Sequence, residues 1–163
     1  GASRQAERGA TGLRYDAEAG ADAVNMTDLL DAFVALLRAA LSCSVEKYYR
    51  PEPPEALTVY VEPLDEGTEQ ALSIANVFGE PLSLSVITEC PWEGTATAGD
   101  SVVTTVEAIK AAVHANRDLA GGVRGKHGGT TYRIGERPQV PGTQQGSLYR
   151  VATTTITYFN QEN

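Results

Sequence analysis

The chain has 163 residues, of which 42% are hydrophobic and 21% are charged, and its formal net charge at pH 7 is −8. This length and composition are those of one globular domain with its own core. No apolar run approaches the ~18 residues that a membrane-spanning helix needs, and the acidic balance argues against a protein that neutralises nucleic-acid phosphates with a basic surface. We therefore expect one domain, no membrane span and no specific nucleic-acid binding.

Residues 1–25 differ in composition from the rest of the chain. They are rich in Ala, Gly and charged residues and contain few large apolar side chains, so alone they do not offset the entropy that is lost on ordering. We predict an extended N-terminal arm over 1–25 and a single domain over 26–163. The opening segment also lacks the apolar stretch of a secretory signal, so we expect synthesis in a cytoplasm, with Cys43 and Cys90 reduced.

Two segments have the hydrophobic periodicity of amphipathic helices. The first helix is predicted over 27–41, where apolar residues recur at helical spacing and Asn25 or Thr27 can cap the start. The second is predicted over 101–116, with Asp100 or Ser101 as its cap. Its expected core face consists of Val102, Val103, Val106, Ile109, the stem of Lys110, and Val113.

Several segments alternate apolar and polar residues or are rich in β-branched and aromatic side chains, as strands are. These segments are 44–50, 56–62, 82–89, 130–134, 139–140 and 148–159. A proline-rich break at 51–54 separates the first two, and 63–81 is predicted to form a long loop or an irregular hairpin. Each helix has one apolar stripe, so the simplest packing places both on one face of a mainly antiparallel sheet. The predicted fold class is α+β.

The glycine-rich stretch before His127 resembles the end of a phosphate-binding loop, but it departs from that motif. Ala120 stands where the first glycine belongs, and His127 follows Lys126 where a Ser or Thr would bind Mg²⁺. The stretch also follows a predicted helix instead of a strand. A basic surface loop is the ordinary interpretation.

Other sequence motifs of metal-binding and catalytic sites are incomplete as well. The possible metal ligands occur one at a time, without the close spacing typical of zinc sites; they are Cys43, Cys90, His114 and His127. The chain has no nucleophile elbow of the Gly-x-Ser-x-Gly type. We therefore predict that the protein is not an enzyme and uses no cofactor and no metal ion.

Charge is distributed unevenly along the chain. Between Arg50 and Lys110 there are eleven acidic residues and no Lys or Arg, whereas Lys110 to Arg150 contains seven basic and two acidic residues. Either the two regions interleave in the fold and their charges mix, or the protein has an acidic side and a basic side suited to head-to-tail association. The candidate interface residues on the second interpretation are Glu62, Asp65, Glu66, Glu69, Arg117, Arg124, Lys126, Arg133 and Arg137.

Trp92 is the only tryptophan and lies beside Pro91 in a predicted loop. A large aromatic side chain in such a place either folds back onto its own core or contacts a partner, since Trp is enriched at interface hot spots. We therefore count Trp92 among the candidate interface residues.

The order of elements from about 26 to 160 resembles that of tail terminator proteins of tailed bacteriophages. The segments that carry the resemblance are the helix at Met26–Leu37, the break at Pro51–Pro54, the strand at Leu57–Glu62, the helix at 101–116 leading into Asn116–Leu119, and the Thr-rich last strand at Val151–Phe159. The arm before Met26 departs from the compact form of that family.

The resemblance implies a virion protein of the tail or neck. Such a protein forms a ring, typically hexameric, on the last ring of tail-tube subunits, stops tube growth and presents a surface to the head-side connector. The resemblance implies no catalytic residue and no cofactor. A head-completion or stopper protein is the alternative within the neck, and a small ligand-binding domain or enzyme that uses the loop at 121–130 is the alternative outside it.

Overall fold

The structure, a computed structural model, describes residues 25–64, 81–119, 123–138 and 146–160. The predicted arm over 1–25 lies outside the described residues except for Asn25. The same holds for Asp65, Glu66 and Glu69, for the strand predicted at 139–140, and for most of the loop or hairpin predicted at 63–81. None of the described helices is long and apolar enough to cross a membrane.

Both predicted helices are present. Helix α1 comprises Met26–Ala40, and the side chain of Asn25 caps it by accepting a hydrogen bond of 2.8 Å from the backbone N–H of Asp28. Helix α2 comprises Ala96–Ala115 and begins five residues before the predicted start. Only Ala96 and Ala98 are good helix formers there, and the burial of Ala98 against the sheet favours the longer helix. Val103, predicted to lie in the core, is 44% exposed, because Val102 takes the core position beside it.

Six described strands form one sheet in the order β1-β2-β3-β6-β5-β4. Their bounds are Ser44–Lys47 for β1, Thr58–Leu64 for β2, Pro81–Pro91 for β3, Asp118–Leu119 for β4, Val123–Pro138 for β5 and Gly146–Asn160 for β6. Four neighbouring pairs are antiparallel and β1 runs parallel to β2. The α+β class is confirmed, and the sheet is mixed, with mainly antiparallel pairing.

Strand β5 is much longer than the predicted strand at 130–134. It starts at Val123, inside the glycine-rich stretch that was predicted to be a loop. Pairing with β6 supplies the backbone hydrogen bonds there, and a register shift between His127 and Thr130 marks a bulge at Gly128 and Gly129. This pairing is between distant segments, so local composition did not reveal it.

Both helices pack on one face of the sheet, which we call the helix-side face. Its main core cluster combines residues of both helices with those of β1, β2, β3 and β6, and includes Leu29, Phe33, Leu37, Ile109, Val113, Val59, Val61, Leu84, Val86, Ile156 and Tyr158. Phe33 meets Tyr158 edge to face, with ring centroids 6.0 Å apart. A second cluster, under the first half of α2, joins Val102, Val106 and Ala152. We call the opposite face of the sheet the outer face.

The ring of Tyr158 lies close to the backbone of Gly125, and we predict that this contact requires a glycine. A Cβ atom at Gly125 would overlap the ring of Tyr158, which is fully buried, whereas a Cβ at Gly129 meets nothing within 4 Å. We expect Gly125→Ala to lower the free energy of unfolding by about 1–3 kcal/mol, because the core around the ring has to shift. Urea denaturation measures this change.

Gly129→Ala is the matched control on the same strand. It should leave the free energy of unfolding unchanged or raise it slightly, because alanine reduces the entropy of the unfolded chain. Equal effects of the two substitutions would contradict the tight contact between Gly125 and Tyr158.

Burial of Tyr158 predicts a loss of stability at high pH. Burial raises the pKa of this phenol well above its ordinary value, and its oxygen has no hydrogen-bond partner among the described residues. The phenol of the unfolded chain ionises near pH 10, so below that pH both states keep the proton. Above it only the unfolded state loses the proton, and stability falls by about 1.4 kcal/mol per pH unit.

Tyr158→Phe should remove this contribution. We expect a similar free energy of unfolding at pH 7 and a smaller loss between pH 9 and pH 11, measured by denaturation at each pH. Tyr132→Phe, at a tyrosine that is 47% exposed, is the control and should keep the wild-type profile. The idea fails if Tyr158→Phe also keeps that profile.

Candidate assembly surfaces

The strand order places the two charged regions of the chain side by side. Strands β1, β2 and β3 come from 44–91 and form one half of the sheet, and β6, β5 and β4 come from 118–160 and form the other. The strands of the first half carry three acidic residues and one basic residue, and their connection at 48–57 adds two acidic residues and one basic residue; the strands of the second half carry five basic and two acidic residues. The two regions therefore do not interleave in the sheet, which has an acidic half and a basic half.

A buried ion pair connects the two halves on the outer face. Arg137 of β5 donates from Nη2 to Oε1 of Glu89 at 2.7 Å and from Nε to Oε2 at 2.8 Å. The side chains are only 9% and 2% exposed. Burial alone would lower the pKa of Arg137, but the hydrogen bonds and the charge of Glu89 outweigh it and raise that pKa. The guanidinium therefore stays charged inside the protein.

The same arginine holds the crossover loop, residues 48–57, which connects the parallel strands β1 and β2 over the outer face. Nη1 of Arg137 donates to the carbonyl oxygens of Arg50 at 2.7 Å and Pro51 at 3.1 Å. The hydroxyl of Tyr149 donates to the carbonyl of Pro54 at 3.3 Å. The proline-rich break predicted from the sequence therefore lies over the outer face of the sheet, where these hydrogen bonds hold it.

Two tyrosines complete this cluster. The ring of Tyr49 lies 4.2 Å from Cζ of Arg137 and meets the ring of Tyr60 edge to face at 4.9 Å. Desolvation, followed by the nearby charge of Glu89, raises the pKa of both phenols. Glu62, a candidate interface residue, accepts a hydrogen bond of 3.2 Å from the backbone N–H of Tyr49, so it contacts its own crossover loop.

Arg137 requires a correction to the predicted interface. We expected its guanidinium to meet a partner, but the residue is 7% exposed and its donors bind Glu89 and the crossover loop. The acidic partner is 48 positions away in the sequence, so charge patterning alone gave no sign of this pairing. A partner could not reach this guanidinium in the observed fold.

Trp92 is also engaged within its own chain. Its indole N–H donates to the carbonyl of Thr95 at 3.0 Å, and the guanidinium of Arg150 lies 4.8 Å from its ring. The side chain is half-buried just before α2. Of the two interpretations of this residue, the structure supports the one in which it folds back onto the protein.

The remaining described candidates lie on the basic half. Lys126 and Arg133 are exposed, and their places in β5 opposite Thr157 and Val151 put them on the outer face. Arg117 is exposed, with Nη2 3.0 Å from Nδ1 of His114. Arg124 pairs with Phe159 in the sheet. The structure therefore brings Lys126 and Arg133 onto one surface with a common charge.

The two edges of the sheet differ. At one edge, β1 has only four residues, and Nε of Arg38 donates to the carbonyl of Val45 at 3.0 Å. This carbonyl is therefore already engaged and is not available for pairing with an added strand. At the other edge, β4 pairs only with Val123 and Arg124. Within the described part of the chain, β5 has no second neighbour from Lys126 to Arg137, a stretch that we call the open edge. A long open edge is a template for pairing with another chain.

Apolar side chains are exposed next to the open edge. Tyr132 and Ile134 of β5 are each 47% exposed and Leu148 of β6 is 42% exposed. Tyr132 is paired with Ala152, which packs under α2, so this apolar strip continues the helix-side face beyond the helices. The strand predicted at 130–134 follows from local composition, which does not reveal that one side of the strand is uncovered.

The described residues contain no group of three or more His, Cys, Asp or Glu residues that could hold a metal ion. Lys126 and His127 are neighbours on a strand and so point to opposite faces. Cys43 and Cys90 are free and half-buried, and burial is the main cause that raises the pKa of each thiol.

Comparison with known proteins found no match, either among family models or among curated protein sequences.

The buried ion pair yields a prediction for stability. Arg137→Met leaves the carboxylate of Glu89 buried without its cation, and we expect the free energy of unfolding to fall by about 3 kcal/mol or more. Replacing both residues, with Glu89→Leu and Arg137→Met, should cost less than the sum of the single changes. Chemical denaturation of the four proteins measures this coupling.

Arg133→Met is the matched control, since Arg133 lies on the same strand and face but is exposed. Its expected effect is within about 0.5 kcal/mol. If the two arginine substitutions destabilise the protein equally, the ion pair does not have the role that its geometry indicates.

Proposed function

We propose that this protein is a structural subunit of a virion, a tail terminator of a tailed bacteriophage. Copies of it assemble head to tail into a ring with six members, the number that is typical of the family it resembles. The ring caps the tail tube, ends tube growth and joins the tail to the head-side connector or stopper protein. Its role is assembly, without catalysis or a cofactor.

The observation that supports this proposal best is the polarity of the sheet. An acidic half ends in a short, blocked edge, and a basic half ends in a long open edge beside exposed apolar side chains. Two different surfaces of opposite charge suit a heterologous contact, which generates rings when the rotation closes. Complementary charge also selects the correct partner and orientation.

The exposed apolar strip supports the same conclusion. Subunit interfaces have an apolar, desolvated centre, and Tyr132, Ile134 and Leu148 are large exposed side chains on the helix-side face beside the open edge, whereas Lys126 and Arg133 lie on its outer face. The tail-tube protein and the connector are the further partners. Their contacts would lie on the two ends of the ring.

Direct observation of assembly tests the function. We expect the purified protein to form rings in native mass spectrometry and electron microscopy, and to shorten tail tubes when it is added during tube polymerisation. A protein that stays monomeric and leaves tube length unchanged would overturn the proposal. Labelling in the particle separates a terminator, at the tube end, from a head-completion or stopper protein, at the portal end.

Substitution of the apolar strip gives a sharper prediction. Tyr132→Asp combined with Ile134→Asp should prevent ring formation, because it places charge in the centre of the proposed interface. Far-ultraviolet circular dichroism should stay unchanged, since both residues are about half exposed. Thr104→Asp, at an exposed position on α2, is the control and should assemble normally.

A further inference from the structure

We infer that the ring of Tyr48 in one copy packs against the apolar strip of the next copy, which consists of Tyr132, Ile134 and Leu148. This contact rests on the proposed function, because it would form the boundary between adjacent subunits of the ring. It names one anchoring residue on the acidic half of the sheet and the surface on the basic half that receives it.

The backbone of Tyr48 is strained. Its φ is 72°, and no other residue except glycine has a positive φ in the described part of the chain. A bulky aromatic residue rarely takes this left-handed conformation. Its N–H donates to the carbonyl of Val61 at 2.8 Å, and the N–H of Tyr49 donates to Glu62 at 3.2 Å, so the chain is held on both sides. Strain that the surrounding structure imposes in this way is common at binding sites.

The side chain of Tyr48 is exposed at the β1 edge of the sheet. The residue is 51% exposed, and Nζ of Lys47 lies 6.0 Å from the centroid of its ring. The same ammonium group pairs with Asp31 of α1, so the ring lies towards the helix-side face. The core gains little from a half-exposed ring, whereas Tyr is enriched among the residues that dominate binding at protein interfaces.

The apolar strip lies on the same face at the opposite edge and at a similar height. A row of paired residues crosses the sheet from Lys47 through Val61, Val86 and Thr154 to Thr130. Tyr48 follows Lys47, and Tyr132 lies two positions after Thr130. When the β1 edge of one copy is placed beside the β5 edge of another, the ring of Tyr48 therefore comes near the strip.

Distance prevents this contact within one copy. The strand order places β1 and β5 four strand spacings apart, which is about 19 Å between their backbones and more than two tyrosine side chains can span. The strip is therefore filled by a second copy. Arg38 already binds the carbonyl of Val45 at the β1 edge, so side chains make this contact without a new pair of strands.

Charge favours the meeting of different edges. With its crossover loop, the half of the sheet that carries Tyr48 has five acidic and two basic residues, and the strands of the half that carries the strip have five basic and two acidic residues. Two copies of the same edge would bring like charges together, whereas opposite edges attract. Each copy then keeps one anchor and one strip free, and such contacts continue until a ring closes.

Substitution of Tyr48 separates its role in assembly from a role in folding. Asn tolerates the left-handed conformation, so Tyr48→Asn should unfold at the same temperature as the wild type or higher. It should nevertheless raise the concentration needed for ring formation by about tenfold or more, because the anchor is lost. Native mass spectrometry over a concentration series and thermal unfolding measure the two effects.

Tyr48→Phe is the matched control, since it keeps both the ring and the strain, and it should assemble like the wild type. Wild-type assembly of Tyr48→Asn, or a fall in its unfolding temperature, would overturn the inference. A wild-type protein that stays monomeric would overturn it as well.

Photo-cross-linking identifies the surface that Tyr48 contacts. We expect p-benzoylphenylalanine in place of Tyr48 to keep an aromatic anchor and to cross-link to the peptides that contain Tyr132, Ile134 or Leu148. With an equimolar mixture of isotope-labelled and unlabelled protein, mass spectrometry should find these cross-links between copies. The same probe in place of Thr104, an exposed residue of α2, is the control. Cross-links only within one copy, or only to other surfaces, would refute the contact.

Tube capping, measured with the same proteins, separates this contact from the function. A protein that shortens tail tubes but assembles equally well with Tyr48→Asn refutes the contact alone. A protein whose rings depend on Tyr48 but which leaves tube length unchanged refutes the tail terminator function alone.

Discussion

The pairing of β3 with β6 is the constraint on which the rest of the structure depends. Pro81–Pro91 and Tyr149–Phe159 pair over eleven positions, and this ladder is where the two halves of the described sheet meet. The strands before it in the sequence lie on one side and those after α2 lie on the other. Because acidic residues precede the ladder in the chain and basic residues follow α2, the same pairing separates the charges in space.

The buried pair of Glu89 and Arg137 acts across that boundary. A buried ion pair is weak evidence for stability, because desolvation opposes the attraction, but breaking it leaves a costly unpaired charge. Here the guanidinium also binds two carbonyl groups of the crossover loop. The pair therefore determines where the crossover loop lies. The loop covers one end of the outer face, and Lys126 and Arg133 remain exposed beyond the loop.

The two edges of the sheet differ in how well they are protected from pairing with another chain. Proteins usually shorten, charge or cover their edge strands, because a free edge recruits other chains. This protein does so at β1, where the strand is short and Arg38 occupies a carbonyl, but not along β5. In the head-to-tail ring that we propose, the open edge belongs to one of the two surfaces that meet between neighbouring subunits.

Both helices and the last strand can be predicted from the amino-acid sequence, because amphipathic periodicity and β-branched composition are local properties. The two charged regions are visible in the sequence as well. Features that depend on residues distant in the chain appear only in the folded protein. Pairing with β6 made a strand of the glycine-rich residues from Val123, and Glu89, 48 positions away, drew Arg137 into the interior. The strand order left Tyr132 and Ile134 uncovered. Charge and periodicity can be read along the chain, whereas burial and edges arise only when the strands take their places in the sheet.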